Sequence, residues 1–200
     1  MRVTAEAKES TRRKILDAAQ DLFRTTGFEA TTTRDIAKAA GIATGTLFNY
    51  FPTKEAIVTT LVVDSHARPL RRLANEQHES LEEALFAHAA AGMRLLKPYR
   101  KYLTPVLDTA MSPLVEAQRD DLGQSLRTDH LERVVELTRQ HELDAALTPV
   151  ALQVYWTLYL GVLSFWTNDK SPKQEDTLAL LDQSLAMFVS WLRGGEEKSN

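Results

Sequence analysis

Thr44, Gly45, Thr46, Phe48, Asn49 and Tyr50 bring small, hydrogen-bonding and almost uncharged side chains together within TRDIAKAAGIATGTLFNYFP, residues 33–52. Hydroxyls and an amide on one short helix can meet the donors and acceptors of base edges in a DNA major groove, and that is the chemistry these residue types offer. Bond-making chemistry has no comparable constellation. The five histidines, His66, His78, His88, His130 and His141, include no pair at the i,i+4 spacing of two ligands on one helix face, and there is no HExxH. No cysteine is present, which excludes disulfides, thiolate catalysis and Cys-ligated zinc. G-x-S-x-G, P-loop and G-x-G-x-x-G motifs are absent too. The sequence therefore predicts no catalytic residue, no metal and no cofactor. His88 and His130 lie near apolar helix faces, as polar anchors of a cavity or as ordinary core histidines.

The reading residues need two short helices and a tight turn to position them. Thr32 followed by Asp35 approximates a capping box that starts the first helix. Ile36, Ala37 and Ala40 form its inner face, and Gly41 supplies the left-handed residue that closes it. Ile42 tucks under the turn, and Leu47, Tyr50 and Phe51 recur at helical spacing in the second helix. Upstream, Ser10 or Thr11 can cap a helix with an inner face of Ile15, Ala18, Ala19, Leu22 and Phe23, ended by Gly27, with Phe28 plugging the base. Downstream, Thr53 caps a fourth helix with Glu55 in its first turn and Ile57, Val58 and Leu61 inward; Pro69 ends or kinks it. This fourth helix leaves the reading helix and enters the rest of the chain, so it is the natural transmission element. A helical pair turned by glycine also serves as a plain packing element, so the flanking residues carry weight.

Net charge is −3 over 200 residues, which argues against indiscriminate nucleic-acid binding. Residues 1–72 hold 12 Lys and Arg against 8 Asp and Glu, and residues 73–200 hold 12 against 19, which suits a basic DNA-facing head on an acidic body. The first residues lack the apolar run of a secretory signal, so a cytoplasmic location is expected.

Beyond the head, the cap signatures Ser80 with Glu83, Thr104-Pro105, Ser112-Pro113, Thr148-Pro149 and Ser171-Pro172 predict helices near 80–97, 104–111, 113–142, 149–167 and 172–193. A frayed tail is expected from Gly194. The expectation is an all-α chain. Leu85, Phe86, Met93, Tyr99 and Tyr102, with Leu103, Leu107 and Met111, are bulky and interrupted by Gly92, Pro98, Pro105 and Pro113. Short broken helices leave space, so these side chains are expected to line a pocket for a small apolar or aromatic molecule, with ordinary core as the alternative. In the last helix Leu178, Leu181, Leu185, Phe188 and Leu192 alternate steps of three and four, a seam that asks for another helix, widened by Met187, Val189 and Trp191. The run from Pro149 to Trp166 is long enough to cross a bilayer, yet Gln153, Thr157 and Ser164 interrupt it and acidic residues flank it at Asp144 and Asp169. A homodimer through these two helices, and no membrane, is the expectation; filling of the chain's own core is the alternative.

In order and register, the Gly-ended first helix, TTTRDIAKAAGIATGTLFNYF and the PTKEA that opens the fourth helix resemble the TetR family of bacterial transcriptional regulators, over Ser10 to Leu61. The resemblance implies a three-helix helix-turn-helix DNA-binding domain in residues 1–52 and a larger helical ligand-binding and dimerisation domain in residues 53–200. It implies a repressor released from a palindromic double-stranded operator by a small-molecule effector. Its DNA contacts would fall on Thr33 (phosphate), on Thr44, Gly45 and Thr46 (bases and nearby backbone), on Asn49 and Tyr50 (backbone or base) and on Lys54 (phosphate). Two departures stand out. Ala43 and Thr44 replace the family's common Ser and Lys, so that Thr44 is left to cap the reading helix. Phe48 replaces a phosphate-reaching Tyr, so Phe48 is expected to pack rather than bind. Core filling is the alternative role of Tyr50 and Phe51.

Overall fold

Threonine and serine hydroxyls standing just before helical runs decide where most of this chain's helices begin. The computed structural model describes residues 4–66, 78–104, 107 and 121–196, and among these residues every regular element is helical. Helix α1 is Ala5–Thr25, and its cap is Thr4, whose hydroxyl accepts from Ala7 N at 3.2 Å. The start lies earlier than Ser10 or Thr11 because Ala5–Glu9 are good helix formers with Glu6 in the first turn; Thr11 instead donates back to Ala7 O. Helix α2, Thr33–Ala39, opens with the expected capping box: Asp35 N donates to Thr32 Oγ1 at 3.2 Å and Thr32 N to Asp35 Oδ2 at 3.0 Å. That hydroxyl holds the Asp35 carboxyl below its ordinary range.

Gly41 takes φ 69°, which lets Ile42 N turn back to Ala37 O at 3.0 Å and stop α2. Helix α3 is Thr44–Phe48, and α4 is Lys54–His66, capped by Thr53 through Ala56 N at 3.1 Å. Ile57, Val58 and Leu61 are buried as expected, and α4 packs on α1. Pro69 lies outside the described residues.

In the body, Ser80 caps α5, Leu81–Leu96, and a 3-10 segment follows over Lys97–Tyr102. Helix α6 is Asp121–Gln140, α7 is Pro149–Asn168 with Thr148 as cap, and α8 is Glu175–Glu196. The helix expected over 104–111 and the start of the one at 113 fall mostly outside the described residues. Ser171-Pro172 opens only a 3-10 turn, because Lys173 and Gln174 adopt φ 53° and 62° and break the run before α8. This left-handed pair is held by a compact knot: Trp166 Nε1 donates to Gln174 Oε1 at 2.8 Å, while the Asp169 carboxylate accepts from Ser171 N at 2.7 Å and Thr177 N at 3.1 Å. At the other end, α8 runs through Gly194 and Gly195 instead of fraying there.

One continuous apolar core joins the head to the body, from Ile15 to Leu192. It claims most of the seam expected to make a dimer. Leu181, Leu185, Phe188 and Leu192 are 1%, 4%, 2% and 2% exposed, and Val189 is fully buried, because α8 turns that face onto α5 and α7. Leu178, at the helix start, is exposed. Among the described residues, every exposed large apolar side chain except Phe48 lies on α7 or α8. Val150, Val154 and Phe165 fall on one face of α7, and Leu180, Met187 and Trp191, spaced seven and four apart, on one face of α8. Helix α7 is apolar and long enough to cross a membrane, and 39% of its apolar window is buried inside the chain.

Candidate nucleic-acid interface and a buried histidine core

Helix α3 stands on a single buried side chain, Leu47, and presents the rest. Gly45, Phe48 and Asn49 are exposed; Thr44, Thr46 and Tyr50 are half-buried, Tyr50 leaning on the core. Two expectations change here. The N-cap is Ala43, extended at φ −71° and ψ 146° with no side-chain bond, so Thr44 already sits in the first turn and does not cap. Phe48 does not pack: it is 48% exposed, because the apolar stripe of so short a helix is filled by Leu47 and then Phe51, which is buried.

The hydroxyls explain what α3 has to offer. Thr11, Thr25, Thr59, Thr60 and Thr138 each donate to the carbonyl four residues back in their own helix. Thr44 and Thr46 stand in the first turn, where no carbonyl of their helix lies four residues back. Among the described residues no intramolecular hydrogen bond engages the side chains of Thr33, Thr44, Thr46, Asn49 or Tyr50. Lys54 differs from them. Its ammonium donates to Phe28 O at 2.8 Å and Thr31 O at 2.9 Å and lies 4.3 Å from the Phe28 ring centroid, so two of its three N–H groups serve the head's own backbone.

The residues expected to line a pocket fall mainly at the junction of head and body. Tyr99, Tyr102, Leu103 and Leu107 are buried there, Tyr102 packs on Phe23 of α1 at 5.3 Å between centroids, and burial pushes its hydroxyl up to about 12. Met93 is buried on α5, Phe86 is half-buried against the same core, and Met111 lies outside the described residues. Next to Tyr102, Arg100 donates its Nε to Trp166 O at 2.8 Å and its Nη2 to Asp169 O, tying this junction to the α7–α8 corner.

Deeper in the body the structure brings His88 and His130 together, with ring centroids 4.3 Å apart. His88 Nε2 lies 3.3 Å from His130 O, and because a carbonyl only accepts, that nitrogen carries the proton. Burial holds His88 down to about 4, so the ring is neutral at pH 7. His130 Nε2 is 3.0 Å from Tyr155 Oη, and the His130 ring stacks on Tyr159 at 4.3 Å. Burial raises both tyrosine hydroxyls, which stay protonated. The cluster is polar, with His88 neutral and both tyrosines protonated, and the Arg133 guanidinium lies close enough to help keep His88 neutral. Sequence spacing flagged the two histidines singly. Their pairing, and the two tyrosines 25 and 29 residues further on, depend on how α6 meets α5 and α7.

Comparison with known proteins matches residues 15–61 to the bacterial regulatory proteins of the tetR family and residues 85–195 to the tetracyclin repressor-like C-terminal domain. The transcriptional repressor KstR2 of Mycobacterium tuberculosis is 37% identical over 94 residues, covering 40% of this chain and 47% of KstR2; the chain thus spans about half the length of that relative. A TetR regulator from Rhodococcus has the same fold at TM-score 0.59 and 22% identity, covering 93% of this chain and 98% of that one. So has FadR of Bacillus subtilis, solved with stearoyl-CoA, at TM-score 0.59 and 22% identity, covering 89% and 97%.

Proposed function

Because the chain belongs to the tetR family of bacterial regulatory proteins, we propose that it is a transcriptional repressor which binds a palindromic double-stranded operator and is released by a small-molecule effector. Residues 1–52 act as the DNA-binding head, and residues 53–200 as the effector-binding and dimerising body. The observation that carries the reading is the unengaged hydrogen-bonding surface of α3, where among the described residues the side chains of Thr44, Thr46 and Asn49 make no intramolecular hydrogen bond. Thr44, Thr46, Asn49 and Tyr50 meet bases and nearby backbone, Gly45 allows close approach, and Thr33 takes a phosphate. Phe48 offers an apolar edge to a thymine methyl group, the one apolar mark in the major groove. Selection from random double-stranded DNA at fixed salt tests this. A preferred palindrome is expected, and recovery of no preferred sequence overturns it.

The reading requires two heads at fixed spacing, so a homodimer is part of it. The exposed apolar faces of α7 and α8 supply the surface, and two such helices from each subunit form a four-helix bundle burying on the order of 2,000 Å² or more. The same packing accounts for the apolar length of α7 without a bilayer, since one side of it already lies on α8 and the 3-10 segment. The protein acts in the cytoplasm. Its effector is a small apolar or aromatic compound whose polar group meets the His88, His130, Tyr155 and Tyr159 cluster. B. subtilis FadR holds stearoyl-CoA, so acyl thioesters belong in the screen beside aromatic compounds. A binder that raises the melting temperature and lowers operator affinity is expected; a screen in which nothing moves either removes the effector from the reading.

A further inference from the structure

We propose that Lys54 is a positioning residue, a latch that holds the entry of α2 against the start of α4, rather than a phosphate-binding cation. This rests on the head being a DNA-binding unit. Lys54 is the first residue of α4, and its ammonium closes on two carbonyls, Phe28 O at 2.8 Å and Thr31 O at 2.9 Å, with the Phe28 ring 4.3 Å away. Those carbonyls belong to the turn that delivers the chain to α2. Thr31 is 1% exposed, its hydroxyl donates to Gly27 O at 2.7 Å, and the next residue, Thr32, is the N-cap of α2. The Phe28 ring in turn packs on Phe23 of α1 at 5.2 Å. One side chain therefore ties together the end of α1, the start of α2 and the start of α4.

Position follows from that tie. Helices α2 and α3 are 7 and 5 residues long, too short to hold themselves in place, so the orientation of α3 depends on where α2 enters. At its far end α4 is bound to α1 by Arg12, which reaches Asp64 Oδ2 with Nη1 at 3.3 Å and Nη2 at 3.4 Å, and along its length it packs on α5 and α6 of the body. Any shift of α4 imposed by the body draws the ammonium away from the turn and loosens the seat of α2. Body and reading helix are thereby coupled through a contact that touches no DNA.

Lys54→Met keeps the side-chain stem over Phe28 and removes the charge. Its affinity for the selected operator should fall roughly tenfold, the scale of one or two lost hydrogen bonds, with random DNA bound nearly as before and an unchanged slope of log affinity against log salt. A phosphate contact predicts the reverse: equal loss on both DNAs and a slope shallower by about one. That result overturns the latch, and so does an unchanged operator affinity. Limited acetylation of the native chain, read by mass spectrometry, gives a second measure that needs no variant. Lys54 should react far more slowly than exposed Lys38 whether or not DNA is present; equal reactivity in the free protein overturns the latch. If the native protein binds no DNA sequence at all, the regulator reading fails, while the acetylation pattern still decides the contact.

Discussion

The head and the body of this molecule hold their polar groups in place by different means. In the head nearly every cap and turn joins residues three to five apart: Thr4 with Ala7, Thr32 with Asp35, Ala37 with Ile42, Thr53 with Ala56. In the body the deciding bonds span the sequence: His130 to Tyr155 over 25 residues, His88 to His130 over 42, Arg100 to Trp166 over 66, and Arg193 to Glu82 over 111. A head whose caps and turns are local is largely set by its own stretch of chain, with Lys54 on Phe28 O and Thr31 O and Arg12 on Asp64 as its long-range ties. The body's polar partners are set by packing, and there a single change propagates further.

The largest expected effect lies in the body and separates its two apolar faces. Phe188 is 2% exposed and Trp191, three residues on, is 49% exposed. Phe188→Arg should cost at least about 4 kcal/mol in denaturant melts, because it buries an unpaired charge. Trp191→Arg should leave the fold within about 0.5 kcal/mol and split the proposed homodimer, as light scattering would show. A folded monomeric Phe188→Arg protein would mean that α8 faces the other way and would erase the contrast.

What the sequence revealed follows the same division. The capping box at Thr32 and Asp35, the Gly41 stop and the inward Ile57, Val58 and Leu61 were readable because their signals lie within one helical turn. Among the head's departures, Phe48 is exposed because a five-residue helix can fill few core positions. In the body the seam through Leu181, Leu185, Phe188 and Leu192 is legible as apolar, but periodicity cannot say whether the covering helix belongs to the same chain. Nor could spacing show that Tyr102, read as a pocket residue, packs on Phe23 of the head, or that Lys54 closes on carbonyls 26 and 23 residues away.

His88 should make the body respond to acid more than the head does. Its folded pKa, about 4, lies below the unfolded value of 6.5, so the unfolded chain takes up the proton first as pH falls. The stability it contributes is fully present above pH 6.5 and drains between pH 6.5 and about 4, by an amount on the order of 3 kcal/mol. Denaturant melts of the native chain and of His88→Gln at pH 7.5 and 4.5 check it; equal pH slopes in the two proteins would remove His88 from the account. Gly92→Ala comes next. A methyl there would stand 2.7 Å from Tyr159 Oη, and the Tyr159 ring is pinned by its stack on His130. An Ala inside a helix is normally favourable by about 1 kcal/mol over Gly, yet here a net loss of about 2 kcal/mol is expected. Adding Tyr159→Phe should recover most of it; if the single variant is more stable than the native chain, the ring is free to move.

The smallest effect belongs to the head. Thr32→Ala removes the hydroxyl that accepts from Asp35 N at 3.2 Å, but the backbone N–H of residue 32 can still reach the Asp35 carboxylate, so half of the capping box survives. The cost should be about 1 kcal/mol. The loss should be confined to α2, seen as faster amide exchange at Asp35 and Ile36 with α6 and α7 unchanged. The carboxyl of Asp35 reports the same bond independently. That hydroxyl is the main cause of its lowered pKa, so carbon-detected titration should show the Asp35 pKa rising in Thr32→Ala. Its stabilising contribution is present above the unfolded pKa and is lost as pH falls through the depressed folded one, so the variant should also be less sensitive to acid at this site. Exchange that accelerates throughout the body would show that the head's caps act at long range and would break the division between the two regions.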